Sequence, residues 1–495
     1  MGSLKQLVGQ TAIYGVSSIL GRIINYFLVM LHTSIFLKDE LGATSYLFGY
    51  IALALIIITF GMETTYFRFA TKEKNPRTYN VASTAVLLVS LLIALLVYFS
   101  TSNITYFASE RFDWELNPVM VYWVAGIIFI DGATAIPFAH LRITNRPIKF
   151  AMAKLIAIFL NIILQLLFLI VFPAIYNQEY LVSLKPLIDS IYNPNLGIEY
   201  IFLSYLLSNS VLFLLLSKEF LLIRLSLHWE TLKPMLRYAI PILITGIAGW
   251  VITELDKSAV ANWSEGGLFA QGVYSQTFKL GAIMMLAIQA FRYAVEPFFF
   301  SQAKDKQAPA LFAKTMHYYY LLALLIMLAI CTNIDLIASV LLQKPEYRVA
   351  LYLVPIIMFG KLLFGVYINL SIWFKLTDKT SYGILFTFIG AIITFSGNYL
   401  FLGSYGYIIT AITIVVSYFV MSMASYFIGK KHYPVPYNFK PLVIYTVIFL
   451  VTIYWSYQVK IENLWFDSLL NLAIPTVFTI AIYFIERKRI FKPIE

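Results

Sequence analysis

The chain has 495 residues, of which 60% are hydrophobic and only 12% charged, with a mean hydropathy of +0.79. A soluble domain carries about a quarter charged residues, so this composition excludes one and points to an integral membrane protein. The lone Cys331 excludes an intramolecular disulfide framework and a cysteine metal cluster, and the net charge of +11 is distributed so that no nucleic-acid partner is needed to explain it.

Apolar stretches long enough to span are predicted at residues 9–33, 43–67, 80–101, 118–141, 148–172, 199–217, 238–260, 268–292, 313–333, 350–372, 381–403, 406–429, 441–458 and 466–485. At about 20 residues per span, this is an all-α integral membrane fold of about 14 transmembrane helices. The first stretch contains Arg22 and no small-residue cleavage site, so it reads as a retained helix and not as a signal peptide. The seventh is interrupted by "ELDK", which brings Glu254, Asp256 and Lys257 together, and the eleventh and twelfth are parted only by "GSYG".

An even number of spans puts both ends on one side. Assigning both termini and every second loop to that side collects 26 of the 36 Lys and Arg, among them Arg68, Arg142, Arg146, Lys149, Lys154, Arg237, Lys430 and Lys431. The opposite loops hold six: Lys38, Arg111, Lys185, Lys344, Arg348 and Lys460. Short loops follow the positive-inside rule, so both termini are expected in the cytoplasm. The longest external connection, 173–198, is too small for a catalytic domain. The acidic pair Asp113 and Glu115 in "DWE" mimics a metal site without such a domain around it, so neither an enzyme nor a metal is expected.

A faint repeat sets "FRFA" at 67–70 against "FRYA" at 291–294, and the same offset matches Gly42 with Gly266 and Tyr50 with Tyr274. Parallel repeats of this kind suggest two six-helix bundles around a central cavity. The expected domains are an N-terminal bundle over 1–217, a cytoplasmic linker over 218–237, a second bundle over 238–429, and an accessory hairpin with a basic tail over 430–495. The apolar cores of the hairpin contain no ionisable residue, which suits a lipid-facing role.

Within the spans lie Arg22, Lys257, Lys279 and Lys361; Asp131 is deep in the fourth span and Glu63 near the cytoplasmic end of the second. A charge at the bilayer centre costs at least about 2.5–3.5 kcal/mol, so such groups need a partner, a watery cavity or a function. Tyr14, Ser18, Arg22 and Asn25 recur along one helical stripe; Thr245, Gly249, Thr253 and Lys257 follow at steps of four; and Gln271, Ser275 and Lys279 do the same before Gln289 and Arg292. Cations gathered at mid-depth would attract an anion. Plainer readings stand beside this one. Glu254 and Lys257 are spaced to neutralise each other, Lys257, Lys279 and Lys361 have stems long enough to reach an interface, and Glu63 and Arg68 can simply pin a helix end.

The segment "ELDKSAVANWSEGGLFAQGVYSQTFKLGAIMMLAIQAFRYAVEPFFF" resembles bacterial polysaccharide and O-antigen flippases of the multidrug/oligosaccharidyl-lipid/polysaccharide exporter superfamily. The matching features are the acid–base pair Asp256–Lys257, Gly272 and Tyr274 opening the next helix, and the aromatic exit around Pro297; "LGATSYLFGY" and "GMETTYFRFATK" resemble the N-terminal signature. The resemblance implies alternating access and a cargo of undecaprenyl-diphosphate-linked oligosaccharide, flipped across the bacterial inner membrane for surface polysaccharide assembly, with a polymerase as a downstream partner. Taken with the depth and spacing above, substrate contacts are expected at Arg22, Asn25, Lys257, Lys279, Lys361 and Arg292, and coupling candidates are Asp256, Glu254, Asp131 and Glu63, with H+ or Na+ as the coupling ion and no other cofactor. A lipid II flippase, a drug or cation antiporter of the same superfamily, and a membrane glycosyltransferase or polymerase are the competing functions.

Overall fold

Local chemistry starts and stops the helices. The Glu40 carboxylate accepts from the Leu37 backbone N–H at 2.7 Å, which caps the helix that begins at Lys38. Asn117 caps the next turn of chain by accepting from the Val119 N–H at 3.1 Å, with Pro118 in the first helical position. Asn145, with φ of 54°, makes the tight turn that reverses the chain before Pro147.

The computed structural model describes residues 20–21, 23–72, 77–178, 180–302, 305–458 and 464–490, and among these only helices and connections occur. The chain divides into two compact units, one taking residues up to Leu28 with Ala43–Trp250, the other Val29–Gly42 with Val251–Glu495. The first helix, α1 (Ile23–Ile35), is shared between them. The first unit continues with α2 (Lys38–Thr59), α3 (Met62–Lys72), α4 (Arg77–Phe99), α5 (Thr101–Phe112), α6 (Pro118–Ile143), α7 (Pro147–Leu166), α8 (Phe172–Tyr176), α9 (Lys185–Ile191), α10 (Glu199–Leu215), α11 (Ser217–Leu221) and α12 (Trp229–Thr253). The second holds α13 (Leu255–Trp263), α14 (Gly267–Ala282), α15 (Met284–Gln302), α16 (Ala308–Thr332), α17 (Ile334–Leu341), α18 (Leu353–Leu370), α19 (Ile372–Leu376), α20 (Ser381–Tyr405), α21 (Ile408–His432), α22 (Lys440–Gln458) and α23 (Leu464–Ile490).

Eleven helices among the described residues are long and apolar enough to cross a membrane, and the chain is a multi-pass membrane protein. The sixth predicted span is the shorter α10, part of the first lies outside the described residues, and the eighth is split at Ile283 between α14 and α15.

In lipid, helices associate through small residues that let backbones approach. In the first unit a Cβ on Gly132 would lie 2.6 Å from Ser90 Cβ and 2.7 Å from Ile58, so α6 seats against α4 and α2 at that point. Gly61, at φ of 72°, lies against Ile242 and Ala239 at the break between α2 and α3. In the second unit the start of α2 crosses α14 backbone to backbone. A Cβ on Gly42 would stand 1.9 Å from the Leu268 carbonyl oxygen, and one on Gly272 would stand 1.8 Å from that of Lys38. Side-chain hydrogen bonds add to this packing, with Trp373 donating to Ser425 at 3.1 Å and Thr394 paired with Ser417 at 2.8 Å.

The expectation of an accessory hairpin without buried ionisable groups is corrected. Helix α23 runs on to Ile490 and buries Glu486 completely, and Asp467 at its start is 9% exposed. Tyr445 of α22 donates to Glu486 at 2.7 Å, and His317 Nε2 of α16 lies 3.3 Å from the same oxygen. At the other end Ser456 donates to Asn471, and Asn471 to Asp467, at 3.2 and 2.9 Å. These polar contacts link α22 and α23 to each other and α23 to α16.

Candidate functional site

Each unit carries its own set of charged groups within the helices. In the first, Gly132 faces the α4–α2 contact, and the residue before it, Asp131, turns the other way into a cavity of about 390 Å³. Asp131 lies roughly 20 Å along α6 at 1.5 Å per residue, close to mid-span. Asn209 of α10 donates to its Oδ1 at 2.9 Å, and the Tyr205 hydroxyl donates to Oδ2 at 3.4 Å. The cavity extends toward the C-terminal end of α6, where Arg142 donates to Glu63 at 2.9 Å. Asn25 of α1 and Asn161 of α7 complete the polar lining.

Lys154 also lines this cavity, with its ammonium 4.2 Å from the centroid of the Phe138 ring. Grouping Lys154 with the loop cations was incorrect. Helix α7 begins at Pro147, so Lys154 is two turns inside it and on its cavity side. Lys154 and Asn161 are seven apart on α7, two turns along one face, and that spacing could have identified it.

In the second unit the chain is discontinuous where "ELDK" falls. Helix α12 ends at Thr253, Glu254 has φ of −133°, and α13 begins at Leu255. The step-of-four stripe from Thr245 to Lys257 therefore does not continue along one helix. Lys257 Nζ contacts the Glu254 carboxylate as an ion pair, while the Asp256 carboxylate accepts from the Tyr274 hydroxyl at 2.8 Å. Asp256 is 5% exposed and Tyr274 fully buried. One turn further along α14, Phe278 packs beside Tyr274, and Lys361 of α18 holds its ammonium 4.9 Å from the Phe278 ring centroid. Lys279 donates to Gln276 at 2.9 Å. A break in a membrane helix beside buried charge is the arrangement that transporters use to place backbone and side-chain polar groups against a substrate or ion.

The structure thus brings Asn25, Glu63 and Asp131 to one cavity, and places Glu254 at the break before α13 and Asp256, Lys257, Lys279 and Lys361 along α13, α14 and α18. Arg292 is exposed on α15. Arg22, with Tyr14 and Ser18 of its stripe, lies outside the described residues. Sequence reasoning missed Lys154, Asn209, Tyr205 and Phe278. Asn209 and Tyr205 are spaced four apart on α10 and could have been found from that step.

No family model matches the chain, and no curated protein matches its sequence. Solved structures do match. Lipid II flippase MurJ, in an inward closed conformation, superposes with a TM-score of 0.70 at 14% identity, covering 97% of this chain and 100% of that one. An inward-facing multidrug resistance MATE family transporter of the MOP superfamily gives 0.61 at 14% identity over 85% of this chain and 94% of its own. A MOP superfamily transporter from Pyrococcus furiosus, described as having a binding pocket of reversed polarity, gives 0.57 at 14% identity over 86% and 94%. At this identity the likeness defines the fold. It is the all-helical membrane fold seen in the lipid II flippase and MATE transporter structures, the fold class that the sequence resemblance implied.

Proposed function

We propose that the chain is a flippase that moves an undecaprenyl-diphosphate-linked oligosaccharide across the bacterial cytoplasmic membrane by alternating access, for assembly of a cell-surface polysaccharide. The observation that carries this reading is the likeness to a lipid II flippase over 97% of the chain, at a higher TM-score and coverage than the two other transporter structures named above. Cations within the predicted spans support it. A diphosphate cannot enter hydrocarbon uncompensated, and Lys257, Lys279 and Lys361, with Arg22, are charges of the right sign, Arg being suited to bidentate phosphate contacts. Asn25 and Arg292 are assigned with them to the substrate. Asp256, Glu254, Asp131 and Glu63 are the coupling candidates, and H+ or Na+ is the ion. Both termini are assigned to the cytoplasm from the loop charge.

Lipid II as cargo is the second reading, favoured by the same superposition. Deletion of the gene, followed by mass spectrometry of the undecaprenyl-linked lipids, separates the two. Accumulation of a lipid-linked oligosaccharide other than lipid II supports the first, and accumulation of lipid II supports the second. Unchanged lipids together with altered drug susceptibility would overturn both in favour of an antiporter.

A further inference from the structure

Between α8 and α10 the chain builds a cleft of about 510 Å³ at the end of the first unit opposite the α6–α7 turn. Tyr176, Lys185, Asp189, Ser190, Tyr192 and Asn193 line it. Tyr192 is a firm wall. Its ring stacks on Tyr200 at 5.4 Å and 12°, and Tyr200 stacks in turn on Phe168 at 4.7 Å and 12°. The Tyr200 hydroxyl accepts from the Asn193 N–H at 2.8 Å and donates to its carbonyl at 3.1 Å, fixing the backbone beside that wall. Tyr176 meets Tyr192 edge-on at 5.9 Å. Lys185 donates to Asp189 Oδ1 at 3.2 Å and lies over the Tyr176 ring at 4.3 Å.

The same connection carries a second, apolar surface. Leu181, Val182, Leu184 and Leu187 are 61%, 53%, 42% and 58% exposed, and none of them lines the cleft. Four exposed branched side chains beside the end of a spanning helix suit the interfacial layer of a bilayer. Such a surface beside the cleft would set it within reach of a head group still attached to its lipid.

We propose that this cleft binds a saccharide, with a sugar ring against Tyr192 and Tyr176 and its hydroxyls on Asp189 and Asn193. Preformed aromatic faces combined with a few placed polar groups are what a polyhydroxylated ring requires. The rings take its C–H faces, and the carboxylate and amide accept from and donate to its hydroxyls. Identifying the cleft's occupant as the glycan part of the cargo rests on the flippase function proposed above.

The test uses the full-length protein in nanodiscs, titrated with maltohexaose, chitohexaose, a hyaluronan hexasaccharide and the cell's own glycan released from its lipid, with binding followed by saturation-transfer NMR. At least one saccharide should bind. Tyr192→Ala should weaken it about tenfold, as expected for loss of an aromatic face, and Asp189→Ala several-fold. Leu187→Ser, on the apolar surface, should leave affinity unchanged. Asp189 lies outside the aromatic stack, so its variant remains informative if Tyr192→Ala fails to fold. No binding by any of the four saccharides, or equal affinity in wild type and Asp189→Ala, would overturn the cleft. Lipid-linked glycan export, measured separately in cells, decides the flippase function. Binding without export removes only that function, and export without binding removes only the cleft.

Discussion

Tyr274 donates its hydroxyl hydrogen to Oδ2 of Asp256 across 2.8 Å, from a site with no solvent exposure. Asp256 also accepts from the Lys257 backbone N–H at 3.0 Å, so two donors converge on one buried carboxyl. Tyr274→Phe removes one of them without changing the shape of the site. Losing a hydrogen bond to a charged group costs about 1.5–3 kcal/mol, and the variant is expected to unfold at lower temperature in detergent and to export more slowly. Wild-type stability and export in Tyr274→Phe would show that the contact has no role in holding Asp256.

The lysine of "ELDK" pairs with Glu254 and spans the break between α12 and α13. Neutralising one member leaves a charge uncompensated in a half-buried site, whereas neutralising both leaves none. Glu254→Gln and Lys257→Gln should each reduce export more than the double variant does, in a strain lacking the native gene and at matched expression. A double variant as impaired as the worse single would mean that Lys257 acts on the substrate and not only on Glu254.

Hydropathy made the helices legible because each span must supply its own apolar surface to lipid, and the charges stood out because so few are tolerated there. Asn25, Glu63 and Asp131, singled out separately in the sequence, line one cavity that no sequence pattern had grouped. The break at Glu254 was not legible, since a helical repeat drawn through residues 245–257 assumes a continuous helix. Glu486 escaped because burial of the end of α23 depends on α16 and α22, which are distant in sequence. Gly272 and Tyr274 were noticed only as part of a family pattern, and the structure supplies physical roles for both. Gly272 allows the Lys38 carbonyl to approach α14, and Tyr274 holds Asp256.

Asp131 is held by Asn209 and Tyr205, and Lys154 faces the same cavity from α7. If Asp131 couples transport to an ion, Asp131→Asn should retain binding of the lipid-linked cargo but lose the dependence of transport on the imposed ion gradient in proteoliposomes. Asn209→Ala should produce a weaker effect in the same direction, through loss of one donor. Gradient-dependent transport at wild-type rate in Asp131→Asn would move the coupling role to Asp256 or Glu254.

Loop charge predicts the sides. Cys331 is fully buried, so single cysteines can be read against a quiet background. Asn195→Cys should react with a membrane-impermeant maleimide in intact cells, and Lys379→Cys only after permeabilisation. The reverse pattern would invert the topology and place the saccharide cleft in the cytoplasm.

Glu486 joins three helices through one carboxylate, with Tyr445 on α22 and His317 on α16 as its neighbours. A buried acid at a helix–helix contact in a membrane protein is held by its partners, and measured side-chain hydrogen bonds in such settings are worth about 0.6 kcal/mol on average and at most about 1.7. Glu486→Gln retains an acceptor for the Tyr445 hydroxyl and should lower stability slightly. Glu486→Leu removes the acceptor and leaves both Tyr445 and His317 facing an apolar side chain, so its loss should be the larger. The order of thermal unfolding in detergent is therefore expected to be wild type, Glu486→Gln, Glu486→Leu. Limited proteolysis in the 432–440 connection should accelerate in the same order as α22 and α23 loosen from α16. Equal protease sensitivity in all three proteins would show that apolar packing alone holds the hairpin, and that the buried carboxylate serves some purpose other than attachment.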